Sequence, residues 1–171
     1  MTFIEKINHV LPRKLLTASI TGSLFAVLFG LVVPSPFGSE INSINDYLLG
    51  FTTSVPIYLM FCFPVIFVYG TVSSIISDFL SGFISRNSIK GMEPYLSVIL
   101  HLLFGSILKW VSLSAALLFY MIDRILRKRK NQYKWSQAFM GLALPILIWI
   151  LFMGLIWVMD FANDATDYII Y

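Results

Sequence analysis

The chain alternates long apolar blocks with short polar joints. Residues 15–33 form the first block, 47–70 the second, 95–122 the third and 138–159 the fourth. Each is about as long as a helix must be to cross hydrocarbon ~30 Å thick at ~1.5 Å per residue. Lipid offers the backbone no hydrogen-bond partners, so such blocks are helical unless they close into a barrel. Barrel strands would show short segments of alternating polarity, which these blocks lack. The pattern predicts an all-α polytopic integral membrane protein. Its four transmembrane helices would form a bundle that makes one membrane domain of residues 1–171.

Residues 72–85 follow another rhythm. Val72, Ile75, Ile76, Phe79, Phe83 and Ile84 share one helical face, while Ser73, Ser74, Ser77, Asp78, Ser81 and Ser85 point away. This 3.6-residue period predicts an amphipathic interfacial helix, lying along the membrane surface or docked on the bundle. Pro56 and Pro64 fall inside the second block. Each removes a backbone donor and crowds the preceding turn, so a bend is expected there. Tyr47 and Tyr69, Tyr95 and Tyr120, and Trp135 and Trp157 bracket the later blocks. Amphipathic rings favour the headgroup level, which fits full crossings.

Composition strengthens the reading. Charged residues make up 12% of the chain, hydrophobic residues 58%, and the mean hydropathy is +0.82. Soluble domains carry about 25% charged residues. A multi-pass protein of the cell membrane is expected. Lys6, Arg13 and Lys14 precede the first block, whose 19 residues are long for a cleavable signal, so it reads as an uncleaved signal anchor. Cys62 is the one cysteine, which excludes an intramolecular disulfide and CxxC redox or zinc chemistry.

Charge does not orient a four-span chain. With the N-terminus inside, Lys6, Arg13, Lys14, Arg86 and Lys90 lie in the cytoplasm, and Arg124, Arg127, Lys128, Arg129, Lys130 and Lys134 lie outside. Five against six is no bias. A fifth crossing within 47–84 would bring the six-residue cluster to the inside, and a third block that dips in and returns near Lys109 and Trp110 would keep both of its flanking loops cytoplasmic. Both alternatives strain the helix lengths, so four full spans are preferred and orientation stays open.

Few residues suggest chemistry. Lys109 lies near the middle of the third block, where an ammonium costs about 2.5–3.5 kcal/mol, so it is a candidate for pairing with an anion or a partner carboxylate. Snorkelling beside Trp110 is the plainer alternative. His101 is eight residues earlier and about 80° round the helix, a candidate proton relay or an interhelical hydrogen bond. Asp78, on the polar side of the amphipathic stretch, is a further candidate, with solvation the simpler reading. Ala18, Gly22, Ala26 and Gly30 form a small-residue stripe that lets another helix approach closely, within the chain or from a second copy. The cluster Arg124, Arg127, Lys128, Arg129, Lys130 and Lys134 suits anionic lipid headgroups; nucleic acid is not expected. No H-E-x-x-H, P-loop or G-x-S-x-G is present, so no catalytic residue, metal ligand or cofactor is assigned and an enzyme is not expected.

The run Pro64-Val65-Ile66-Phe67-Val68-Tyr69-Gly70, followed by Ser73-Ser74-Ile75-Ile76-Ser77-Asp78, resembles an uncharacterised family of small Bacillus-type four-span membrane proteins. The resemblance covers residues 15–122, and the basic third joint departs from it. It implies a bacterial cytoplasmic-membrane home and carries over no catalytic residue. Together these features predict a small non-enzymatic membrane protein that binds a partner in the bilayer, in an immunity-like or accessory role. The partner could be another membrane protein or a second copy of the chain. The alternative is a small transporter or channel that uses Lys109 and His101 in a polar path.

Overall fold

A computed structural model describes residues 3–87, 99, 109–129 and 132–169; for 3–9, 82–87, 109 and 163–169 it describes the backbone alone. All regular structure among the described residues is helical. The helices are α1 (Phe3–Val32), α2 (Ile44–Val65), α3 (Thr71–Asn87), α4 (Lys109–Arg129), α5 (Trp135–Gly141) and α6 (Ala143–Ile169), with a π-helical segment, Ile66–Gly70, joining α2 to α3. Among the described residues, three stretches are long and apolar enough to cross a membrane: Val10–Val32, Ile44–Ser81 and Trp135–Ala162.

Helix α1 is the axis of the bundle, and every other helix packs on it. The directions follow from which residues meet. Lys14 reaches Ser74, Gly22 faces Phe63 and Gly30 faces Val55, so α2 and α3 run antiparallel to α1. Arg13 meets Asp123, while Phe25 shares a cavity wall with Val111, so α4 is antiparallel to α1 as well. Gly141 lies against Leu16, and Phe152 packs in the cluster of Ala26 and Val55, so α6 runs parallel to α1.

These directions correct the expected third crossing. Four alternating crossings would put residue 122 at the opposite end from Arg13. Instead Arg13 Nε lies 3.0 Å from Asp123 Oδ1, so the end of α4 and the start of α1 share one end of the bundle. Residues 95–98 and 100–108 of that block lie outside the described residues. Of the two placements expected for 72–85, the helix is docked on the bundle rather than lying along the membrane surface. It continues α2 through the π segment, and its serine side faces inward: Ser73, Ser74, Ser77 and Ser81 are buried, while Val72, Ile76 and Leu80 are exposed. The 3.6-residue period holds, with the serine face inside and the aliphatic face outside. In an apolar solvent the hydroxyl face gains by meeting other polar groups inside, and the aliphatic face turns outward.

Local chemistry explains the breaks. Pro64 cannot donate to the carbonyl of Met60, and the wider π turn begins at Ile66, two residues on. Pro145 leaves the Gly141 carbonyl without its usual donor, and the helix divides there into α5 and α6. At the end of α1, Tyr47 Oη donates to the Leu31 carbonyl at 2.6 Å and Tyr58 Oη to the Val33 carbonyl at 2.9 Å. Two carbonyls near the end of the helix are thereby satisfied by side chains from α2. The chain turns through Gly38 at φ 79°, and Ser43 Oγ caps α2 by accepting from the Asp46 amide at 3.1 Å.

Candidate functional site

The centre of polarity in the bundle is a group of four charges. Lys14 is 0% exposed, and its ammonium lies 2.8 Å from Asp123 Oδ2 and 2.7 Å from Asp78 Oδ2. It also donates to Ser74 Oγ. Arg13 donates to Asp123 Oδ1 and lies 3.8 Å from Asp78. Thr17 donates to the Arg13 carbonyl at 2.8 Å and stands 3.5 Å from Asp123 Oδ1. Three elements supply the set: the third and fourth turns of α1, the middle of α3 and the last third of α4. Two cations face two carboxylates, so the cluster is neutral. Burying an ion costs several kcal/mol, which only close pairing of this kind offsets.

Hydroxyls continue this polarity inward. Thr21, Ser23, Thr71 and Ser77 are buried with side-chain oxygens that meet no hydrogen-bond partner among the described residues. The remainder of the described core is apolar. Ala18, Phe25, Ile66, Ala115 and Phe119 form one core cluster, and Ala26, Val55, Tyr58, Leu59 and Phe152 another.

The small-residue stripe lies inside the chain. A Cβ on Gly22 would stand 2.6 Å from the Phe63 ring, and one on Gly30 would stand 2.9 Å from Ser54 Oγ and Val55. Ala18 and Ala26 are fully buried. The stripe therefore seats α2 and its neighbours rather than a second copy of the chain. Asp78 is not solvated as the simpler reading had it; it is a quarter exposed and paired with Lys14. Arg124, Arg127, Lys128, Arg129 and Lys134 are exposed, and Lys130 lies outside the described residues. Lys109 is the first described residue of α4, with Trp110 beside it 84% exposed. His101 lies outside the described residues.

Sequence reasoning missed Arg13, Lys14 and Asp123 as partners, treating the first two as flanking charge and the third as the start of a polar joint. A signal was available: Asp123 is the one carboxylate between residues 94 and 159, set at the edge of an apolar block. Such a charge needs a cation close by. Among the described residues, no group of three or more His, Cys, Asp or Glu side chains gathers as a metal site.

A half-open cavity of about 200 Å³ lies beside the π segment, between α2 and α4. Phe61, Cys62, Tyr69, Ser112, Ala116 and Phe119 are in its wall, which is almost wholly apolar. No protein-family profile, curated protein or solved structure matches the chain.

Proposed function

We propose that the chain is a non-enzymatic integral protein of the cell membrane that acts by binding a partner helix within the bilayer, with its basic end in the cytoplasm. The observation that carries this reading is the division of packing surfaces. In α1 half of the most apolar window is buried (50%), and its small-residue stripe is filled by the chain's own rings. In the stretch ending with α6 only 11% is buried. Ile146, Leu147, Ile150, Leu151, Trp157 and Val158 all face outward. This is a rim helix, tied to the bundle along a narrow strip and open to a neighbour on the rest.

Orientation follows from charge. Arg13, Lys14, Arg124, Arg127, Lys128, Arg129 and Lys134 gather at one end, whereas Glu40, Asp46 and Asp160 mark the other. Lysine and arginine are retained on the cytoplasmic side, and this gathering supports a cytoplasmic basic end. From Lys14 to Val32 is 18 residues, roughly 27 Å of helix. The ion cluster then sits near one hydrocarbon boundary and the tyrosine-capped turn near the other.

The charged cluster supports this reading over a transport path. Its four charges compensate one another at one end, so among the described residues they form no relay through the bundle.

Two experiments test the proposal. In a Cys62→Ser background, single cysteines at Ser39 and Gln132 are exposed to an impermeant thiol reagent on intact cells. Ser39→Cys should label and Gln132→Cys should not; labelling of both would overturn the orientation. A photoreactive residue at Ile150 should then give a discrete crosslinked species in cells. Only uncrosslinked monomer there would sink the partner-binding reading.

A further inference from the structure

The cavity beside the π segment and the basic end of α4 belong to one feature. The cavity opens beside Phe61, Val65 and Val111, all exposed and all apolar. Its wall includes Phe25, which is 11 residues of α1, roughly 16 Å, from Lys14 in the ion cluster. On the membrane reading above, on which this inference rests, that is one leaflet's depth from the basic end. A water-soluble molecule does not reach an apolar opening at that depth. A partner helix about 10–12 Å across does not fit into it. An acyl chain does both, and an apolar cavity of about 150 Å³ already holds a benzene-sized guest.

Charge names the class of lipid. Arg127 follows Ala116 by 11 residues, which is about three turns, ~16 Å, and within ~20° of the same face. Arg127 is exposed, as are Arg124, Lys128 and Arg129 around the same last turns. The distance from the cavity wall to these guanidinium groups is the length of one lipid from mid-chain to phosphate. The side chains near the cavity opening cannot select a headgroup, but the arginines can, because they pair with phosphate by charge and by paired N–H donors.

We propose that α4 is one wall of a specific site for an anionic phospholipid of the basic-end leaflet. Part of an acyl chain occupies the cavity at Cys62, Ser112 and Ala116, and the phosphate rests on Arg127 and its basic neighbours. The lipid bridges α4 to the π segment where the protein's own packing leaves a gap.

The test uses the full chain in mild detergent, titrated with phosphatidylglycerol or phosphatidylcholine of identical chains and read by native mass spectrometry. One phosphatidylglycerol should be retained over phosphatidylcholine by about fivefold for each arginine engaged. Arg124→Gln with Arg127→Gln should bring the two lipids to parity. Ala116→Phe, which fills the cavity, should lower retention of both; Ser112→Leu serves if that variant does not fold. Phosphatidylglycerol should also slow alkylation of Cys62 by an apolar maleimide. Equal retention of the two lipids by the wild-type protein would overturn the proposal, as would full retention in a folded cavity-filled variant. A protein that needs detergent yet shows no preference fails this inference alone. One that stays dissolved without detergent fails the membrane reading itself.

Discussion

The two ends of α1 are packed by opposite chemistries. At its start, Arg13 and Lys14 are held by Asp78, Asp123 and the hydroxyls of Ser74 and Thr17. Twelve residues further along, Ala26 and Gly30 meet Val55, Phe51 and Ser54, and Phe29 stacks edge-on to Tyr58 at 4.7 Å. The first end is fixed by a few buried charges paired with one another. The second is fixed by the shape fit of small residues against rings. Charge pairing tolerates some change of shape but not an unpaired charge. Close packing tolerates no added volume.

The largest expected effect breaks the first end. Asp123→Asn keeps the shape and removes the carboxylate shared by Arg13 and Lys14. It should cost about 3–5 kcal/mol, the range for leaving a buried charge uncompensated. Thermal unfolding in detergent would show it. The double variant Lys14→Met, Asp123→Leu should lose less than the sum of its singles, by roughly 0.5–3 kcal/mol. Strict additivity would mean that the two do not form a working pair.

Next comes the packed end. Gly22→Leu drives a side chain into the Phe63 ring, 2.6 Å from an added Cβ. A loss of about 1–3 kcal/mol is expected, with recovery when Phe63→Ala makes room. No recovery would show that the glycine matters for its backbone rather than for its space.

Asp78→Asn should cost less than Asp123→Asn, about 1.5 kcal/mol, because its carboxylate is a quarter exposed and Lys14 retains Asp123. Equal costs for the two would contradict the ranking by burial. The smallest effect is expected at Tyr58→Phe, which removes the hydrogen bond to the Val33 carbonyl for about 1 kcal/mol and leaves the ring packing intact. Loss of the ring in Tyr58→Ala should be several times larger.

Legibility in the sequence followed the same division. The apolar blocks at 15–33 and 138–159 match helical spans found here; of the two prolines expected to disturb the second block, Pro64 is followed by the π segment, whereas α2 runs unbroken across Pro56. The periodicity of 72–85 and the stripe of Ala18, Gly22, Ala26 and Gly30 were both readable. What each faced was not. A serine stripe looks the same whether it meets water or a buried lysine. A run of small residues does not say whose rings will fill it.

Sequence alone therefore determined the helical character, the apolar blocks and the gathering of basic residues in one joint, because these depend on local composition and period. Tertiary structure decided the direction of α4, the inward turn of the serine face and the pairing of Arg13 and Lys14 with Asp78 and Asp123. Those contacts join residues 60 to 110 positions apart. A charge shows that it needs a partner, but only the folded bundle shows which partner comes within reach.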